Sequence, residues 1–178
     1  GFTQELDDAL KGMGSVYGVC KAEWFRQEAR KAGAEIWMGA RVLDVFAGTG
    51  QLALEALSRG ASYAVMGDES AEAAAIIRKN AQKTKLNENT RILNVDYKTL
   101  IRGVAGREKF DIVFIDPPYA SGFVPDVIAR LQRADVLAPN AILVCESDAD
   151  TPFEAEGLSL RRFAKYGRIY VTVLVNDG

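Results

Sequence analysis

Short apolar runs rich in β-branched residues alternate with stretches of helical spacing from about residue 41 to the end of the chain. This alternation is typical of an α/β fold with a mostly parallel sheet. The run Phe110–Ile115 continues without alternation of apolar and polar residues, which predicts a central strand buried on both faces. We therefore expect one layered α/β domain over residues 41–178.

Seven strands are predicted in this part of the chain. They are Arg41–Phe46, Ser62–Met66, Arg91–Val95, Phe110–Ile115, Ala141–Cys145, Leu158–Phe163 and Ile169–Val175. We expect Gly60 to end the helix after the first strand, Ser70 to cap the helix after the second, and a helix over Val124–Arg133. The last two strands flank Tyr166–Arg168, so they should form a terminal hairpin that adds antiparallel strands at the edge of the sheet.

Residues 1–40 are less regular, and we expect them to form a helical extension of the same domain. One helix face is predicted from the spacing of Val19, Ala22, Phe25, Ala29 and Ala32. The basic residues that lie largely elsewhere on this helix are Lys21, Arg26, Arg30 and Lys31. They could contact nucleic-acid phosphates or form an ordinary solvated face.

Composition excludes several classes of protein. The chain has no histidine, which excludes mechanisms that need an imidazole from this chain, and we expect no bound metal. Cys20 and Cys145 lie far apart and predict no disulfide framework. No apolar run is long enough to cross a bilayer, so we expect a soluble, cytoplasmic protein without a membrane partner, and we expect a monomer. The formal net charge of −2 argues against general attraction to nucleic acid but allows a local basic patch.

The turn after the first predicted strand has the features of a nucleotide-binding site. In open α/β sheets, ligands bind beyond the carboxyl ends of the strands. Gly48 and Gly50 allow a sharp turn close to a ligand, and the helix that follows offers unpaired amide donors. The same residues could form a tight turn without a ligand. The candidate ligand-binding residues here are Asp44, Phe46, Ala47, Gly48, Thr49 and Gly50.

Two further acidic positions follow strands. Asp68 lies 18 residues after Gly50, where a carboxylate can accept hydrogen bonds from both ribose hydroxyls of an adenosine group, and Glu69 is adjacent. Asp96 and Tyr97, just past the third strand, are candidates for contacts to the adenine. Asp68 could instead cap a helix or stay solvated, and Asp96 could instead cap the helix that follows it.

Asp44 helps to distinguish between two kinds of adenosine cofactor. Gly48, Gly50 and Ala53 fit a GxGxxA pattern, which a dinucleotide site permits. A carboxylate would repel a pyrophosphate, whereas it attracts the ammonium and sulfonium groups of S-adenosyl-L-methionine. The turn therefore favours S-adenosyl-L-methionine, with S-adenosyl-L-homocysteine as the product, over a nicotinamide cofactor.

Asp116-Pro117-Pro118-Tyr119 directly follows the central strand and is the most specific motif in the chain. The lone pair of an exocyclic amine is delocalised into the base ring and must be freed before it can accept a methyl group. Asp116 and the carbonyl of Pro117 can accept hydrogen bonds from the two amine hydrogens, and the prolines hold that carbonyl rigid. Tyr119 would stack on a base that is unpaired or flipped out. The alternative is a turn that only ends the strand.

Two segments, Leu43–Ala61 and Phe110–Tyr119, closely resemble the RsmD family of bacterial small-subunit ribosomal RNA guanine-N2 methyltransferases. Glu146 and the segment Lys165–Gly167 are also similar to that family. The resemblance implies a Rossmann-like class I methyltransferase fold with seven strands and an antiparallel last strand. It also implies S-adenosyl-L-methionine as the donor and RNA as the partner. The acceptor would be the N2 amine of a guanine in 16S ribosomal RNA, either free or in an assembling small subunit.

The motif chemistry alone does not choose the acceptor. It fits guanine N2, adenine N6 and cytosine N4 equally. A DNA or protein-amide methyltransferase, and a non-catalytic cofactor- or RNA-binding module of the same fold, are therefore the alternatives.

Overall fold

The computed structural model describes residues 38–118 and 122–178. The strands are β1 (Arg41–Asp44), β2 (Tyr63–Asp68), β3 (Thr90–Asn94), β4 (Phe110–Ile115), β5 (Leu137–Ser147), β6 (Leu158–Tyr166) and β7 (Ile169–Asn176). The helices are α1 (Gln51–Ser58), α2 (Ala71–Lys83), α3 (Tyr97–Val104) and α4 (Phe123–Arg133), with a short 3₁₀ helix at Asn87–Asn89. The seven strands form one sheet in the order β3-β2-β1-β4-β5-β7-β6. The helix predicted within residues 1–40 lies outside the described residues.

Strands β1 to β5 pair in parallel, which confirms the α/β class predicted from the alternation of strands and helices. The predicted central strand is β4, with the same bounds and with buried residues everywhere except Asp111. β1 ends at Asp44 instead of Phe46, because the chain already turns at Val45. β2 ends at Asp68, the residue at which the second strand was predicted to close.

Strand β5 is longer than predicted. Its pairing with β4 shifts register, from Phe110 opposite Leu137 to Ile112 opposite Ile142, so the strand contains an irregularity. Asn140, which lies in that shift, has a φ of 60°. Pro139 and Asn140, directly before Ala141, concealed the start of the strand, because proline is rare inside a strand and a bulge interrupts the regular alternation of side chains.

The last two strands form the predicted hairpin, with Gly167 at a φ of +63° in the turn. The antiparallel last strand is confirmed, since β7 pairs antiparallel with both β5 and β6. β7 lies inside the sheet and β6 forms its edge. Both hairpin strands thus pair antiparallel with their neighbours, as predicted, and β6 runs in the same direction as β5.

Hydrophobic clusters cover both faces of the sheet. On one face, α1 and α2 pack on the sheet through residues such as Leu54 and Ile77. On the other, α3 and α4 pack through residues such as Leu100 and Leu131. Ser70 caps α2 by accepting a hydrogen bond from the amide of Ala73, as predicted. Within the described ranges, no helix is long and apolar enough to cross a membrane.

Candidate active site

The candidate site lies along the edge of the sheet where the parallel strands end. Asp44 ends β1, Asp68 ends β2 and Asp116 follows β4. β1 lies between β2 and β4, so the topology brings these three carboxylates to neighbouring positions at one edge. This is the edge at which α/β proteins bind ligands.

The glycine turn after β1 depends on two residues with left-handed backbones. Gly48 has a φ of +56° and Gly50 a φ of +80°, and the amide of Gly50 donates to the carbonyl of Ala47 at 2.7 Å. A Cβ atom at Gly50 would lie 3.0 Å from Cγ2 of Ile77. Among the described residues, nothing lies within 4 Å of the corresponding position at Gly48. A side chain at Gly50 would thus press on Ile77, whereas at Gly48 it would meet none of the described residues.

Asp68 connects this turn to the next strand. Its Oδ2 accepts a hydrogen bond from the amide of Gly48 at 2.9 Å, and its Oδ1 accepts one from the amide of Ser70 at 2.9 Å. Each ionised carboxylate oxygen can accept two hydrogen bonds, so both oxygens keep capacity for a ligand. Asp68 therefore has a structural role that is compatible with the predicted one.

Two asparagines that the sequence analysis missed support the same region. The side-chain amide of Asn80 in α2 donates to the carbonyl of Thr49 at 3.0 Å. The amide of Asn94 donates to the carbonyls of Asp68 and Glu69 at 3.0 and 2.9 Å. These bonds join the ends of β1, β2 and β3. Asn94 lay inside the predicted strand Arg91–Val95 and is the last residue of β3, so it was not considered with the residues that follow strands. Asn80 carries no local signal.

Asp96 is the N-cap of α3. Its Oδ1 accepts from the amide of Thr99 and its Oδ2 from the hydroxyl of Thr99, both at 2.9 Å. These bonds, the backbone one first, lower the pKa of the Asp96 carboxyl. The capping alternative is thus present in the structure, and a contact to adenine stays a prediction.

Tyr97 lies in an aromatic cluster with Phe46, from the turn after β1, and Phe123, the first residue of α4. Its ring centroid is 5.5 Å from that of Phe46 and 5.9 Å from that of Phe123. Its hydroxyl donates to Oδ2 of Asp126 at 2.8 Å, and Nε of Arg130 donates to the same oxygen at 2.7 Å. The cluster ties the glycine turn to the helix that follows the Asp116 motif.

The pKa values of Tyr97 and Asp126 are shifted in directions that preserve the hydrogen bond between them. Burial, followed by the hydrogen bond to Asp126, raises the pKa of Tyr97. Hydrogen bonds from Arg130 and then Tyr97 lower the pKa of Asp126. The hydroxyl therefore stays protonated and the carboxylate ionised, which preserves the link. The sequence analysis did not identify Phe123 or Asp126.

Asp44 is the last residue of β1, and Asp116 directly follows the neighbouring strand β4. Asp44 is 1% exposed and pairs in register with Phe114. The amide of Val45 donates to the carbonyl of Phe114 at 3.1 Å, so the two chains are still hydrogen-bonded where the turn begins. Asp116 and Pro117 are half-buried and Pro118 is exposed. Tyr119 lies outside the described residues.

Over residues 38–118 and 122–178, no group of three acidic, cysteine or histidine residues is placed to hold a metal ion. Burial raises the pKa of the Cys145 thiol to about 12, so this thiol is not a nucleophile at neutral pH.

Comparison with known proteins identifies relatives over most of the chain. A family model described as "Conserved hypothetical protein 95" matches residues 22–175. The chain is 30% identical over 138 residues to ribosomal RNA small subunit methyltransferase D of Escherichia coli. This alignment covers 76% of this chain and 68% of that protein. It is 32% identical over 111 residues to the protein of the same name from Haemophilus influenzae, and this alignment covers 62% of this chain and 58% of that protein.

A solved structure has the same fold. A conserved hypothetical protein from Streptococcus pyogenes superimposes with a TM-score of 0.73 at 38% sequence identity. The superposition covers 78% of this chain and 87% of that chain.

Proposed function

The chain belongs to the family described as conserved hypothetical protein 95, the RsmD family, and from that membership we propose that it methylates ribosomal RNA with S-adenosyl-L-methionine as the donor. The acceptor we propose is the N2 amine of a guanine in 16S ribosomal RNA. The place of action is the cytoplasm, where that RNA is made.

One observation carries the proposal: the glycine turn and the Asp-Pro-Pro motif follow adjacent, paired strands. Asp44 and Phe114 are in register, so Phe46 and Asp116 each lie two residues beyond a paired position. Neighbouring strands are about 4.8 Å apart. A donor bound at the turn and an amine bound at the motif would therefore lie side by side.

The residues of the turn fit S-adenosyl-L-methionine. Asp68 has acceptor capacity for the ribose hydroxyls, and the open side of Gly48 allows close approach of a ligand to the backbone. Asp44 adds a buried carboxylate to a site that would receive a cationic amino-acid group. When bound, the cofactor supplies a methyl group on a positively charged sulfur.

The motif fits an amine acceptor. We assign Asp116 and the carbonyl of Pro117 to hold the two amine hydrogens, which directs the nitrogen lone pair out of the ring. Transfer of the methyl group to the nitrogen would break the bond between that carbon and sulfur and leave S-adenosyl-L-homocysteine. The nitrogen would lose one proton, and we assign the Asp116 carboxylate to accept it. Pro118 keeps the turn rigid, and Tyr119 would stack on the base.

The choice of small-subunit RNA is supported by the names of the Escherichia coli and Haemophilus influenzae relatives. The choice of guanine N2 is supported by the resemblance of Leu43–Ala61 and Phe110–Tyr119 to the RsmD family. A transfer assay tests it. The chain is incubated with methyl-labelled S-adenosyl-L-methionine and, separately, with unmodified small-subunit RNA, large-subunit RNA, DNA and a protein fraction, and the labelled RNA is digested to nucleosides. We expect the label in N2-methylguanosine of small-subunit RNA. Label in DNA or protein alone, or in a methylated adenosine or cytidine, would overturn the proposal.

A further inference from the structure

The β6–β7 hairpin carries a local positive charge. Residues 158–170 include four basic side chains and no acidic one, in a chain whose formal net charge is −2. The four are Arg161, Arg162, Lys165 and Arg168. Arg161, Lys165 and Arg168 are exposed. The hairpin is thus a candidate for contact with an anionic partner.

The tip of this hairpin lies at the edge of the sheet that holds the candidate active site. β6 is antiparallel to β7, which is antiparallel to β5, so β6 ends at the same edge as β5 and β4. Tyr170 pairs with Ser147, the last residue of β5, and with Lys165 of β6. Lys165 and the turn residue Arg168 therefore lie at the edge that also holds Asp116.

Aromatic side chains lie among these basic residues. The rings of Phe163 and Tyr170 stack with centroids 5.5 Å apart and planes 6° apart. Nζ of Lys165 lies 5.4 Å from the centroid of the Tyr170 ring. Cation–π contact fixes the lysine over a rigid surface. Basic side chains interleaved with aromatic ones are how proteins hold single-stranded nucleic acid.

In the described part of the chain, β6 is the outermost strand of the sheet, and basic residues lie along it and in the turn that follows it. The register shift between Leu160 and Arg162 leaves Arg161 as an extra, unpaired position in the ladder. A bulge turns a side chain away from the regular pleat. Basic residues on an edge strand also discourage edge-to-edge aggregation. Protection against aggregation alone would not require Lys165 to lie over the ring of Tyr170, or Lys165 and Arg168 to lie at the edge that holds Asp116.

We propose that the β6–β7 hairpin is an RNA-docking surface, on which Arg161, Lys165 and Arg168 bind phosphates of a single-stranded segment flanking the nucleotide held at Asp116. The inference rests on the proposed function, because RNA is the partner that brings phosphates to this edge. Phosphate contacts fix register and orientation without reading sequence. The hairpin would therefore position the RNA, while the Asp116 motif selects the reacting amine.

The test compares two triple variants with the same change in net charge. Arg161→Gln, Lys165→Gln and Arg168→Gln are combined in the first. The control combines Arg78→Gln, Lys79→Gln and Lys83→Gln, which are exposed residues of α2. The dissociation constant for a fluorescein-labelled, mixed-sequence, single-stranded RNA is measured by anisotropy over a salt series.

We expect the hairpin variant to bind this RNA about tenfold more weakly or worse, with a salt slope reduced by about 2, since each phosphate contact to a single strand contributes roughly 0.7. The control should keep the wild-type slope. Calorimetry with S-adenosyl-L-homocysteine should give the same affinity for all three proteins, which shows that the site has folded. Equal weakening in both variants, or none in the hairpin variant, would overturn the docking surface.

Two further outcomes separate this inference from the function on which it rests. A hairpin variant that binds RNA normally but no longer associates with small-subunit particles would mean that the surface contacts protein, and the docking proposal would be wrong. A wild-type chain that binds RNA through the hairpin but methylates only DNA would contradict the proposed function and leave the nucleic-acid surface in place.

Discussion

The carboxylate of Asp68 accepts a hydrogen bond of 2.9 Å from the backbone amide of Gly48, across the boundary between β2 and the turn after β1. Its other oxygen accepts one from the amide of Ser70. One side chain therefore fixes the glycine turn against the start of α2. Because the same carboxylate is the candidate ligand for the ribose hydroxyls, cofactor binding and turn geometry depend on one residue.

Asp68→Ala should therefore weaken the binding of S-adenosyl-L-homocysteine about ten- to hundredfold, since hydrogen bonds to a charged group are worth roughly 1.5–3 kcal/mol. Turnover at saturating donor should change little, because Asp68 does not contact the acceptor. Calorimetry measures the affinity, and Asp150→Ala, an exposed carboxylate near the same edge, is the control. An unchanged affinity would remove Asp68 from the cofactor site.

The two glycines of the turn should respond differently to substitution. Gly50→Ala adds a methyl group 3.0 Å from Ile77 and strains a left-handed backbone, whereas Gly48→Ala adds only the strain, about 1–2 kcal/mol. We expect Gly50→Ala to lower the free energy of unfolding more, measured with urea. Gly48→Ala should instead reduce cofactor affinity more than stability. The reverse order of stabilities would contradict this assignment.

Local signals were enough to predict much of this fold. The apolar run Phe110–Ile115, broken only by Asp111, predicted the bounds of β4. Ser70, Gly60 and Gly167 mark a cap and two turns that the structure contains. These features depend on neighbouring residues, which a sequence displays directly. The edge at which the site residues meet followed from the parallel topology, because strands of this class end on one side of the sheet.

Contacts between distant segments could not be predicted in the same way. The hairpin pattern alone does not show that β7, and not β6, pairs with β5. That choice depends on how the hairpin meets the edge of β5 after folding. The bond between Tyr97 and Asp126 joins residues 29 apart, and Asn80 reaches Thr49 across 31 positions. Neither pair has a spacing pattern. Asp96 was ambiguous because one carboxylate can cap a helix and face a ligand at the same position.

The Tyr97–Asp126 bond should contribute to stability only within a window of pH. The pKa of Asp126 is lowered in the folded state, first by the hydrogen bond from Arg130 and then by that from Tyr97. The stability that the ionised Asp126 contributes is therefore present above the ordinary pKa of 3.8 and is lost as pH falls through the lowered value. The pKa of Tyr97 is raised in the folded state, first by burial and then by its hydrogen bond to Asp126. The stability that the protonated hydroxyl contributes is therefore present below the ordinary pKa of 10.0 and is lost as pH rises through the raised value.

Tyr97→Phe removes this bond and keeps the ring contacts with Phe46 and Phe123. We expect its melting temperature to fall below that of the wild type between these two limits, and the difference to shrink outside them. Circular dichroism melts over a pH series measure it. A difference that is constant with pH would mean that packing, not the hydroxyl, accounts for the loss.

Asp116→Asn should separate chemistry from cofactor binding. The substitution keeps the shape of the side chain but removes the charge that holds the amine and accepts its proton, and loss of one preorganised electrostatic contact typically lowers turnover about 10²- to 10³-fold. Affinity for S-adenosyl-L-homocysteine should stay unchanged, because that pocket follows β1 and β2. Asp111→Asn is the matched control, since Asp111 is an exposed carboxylate of β4, the strand that Asp116 follows. Near-normal turnover by Asp116→Asn would leave the Pro117 carbonyl as the group that orients the amine.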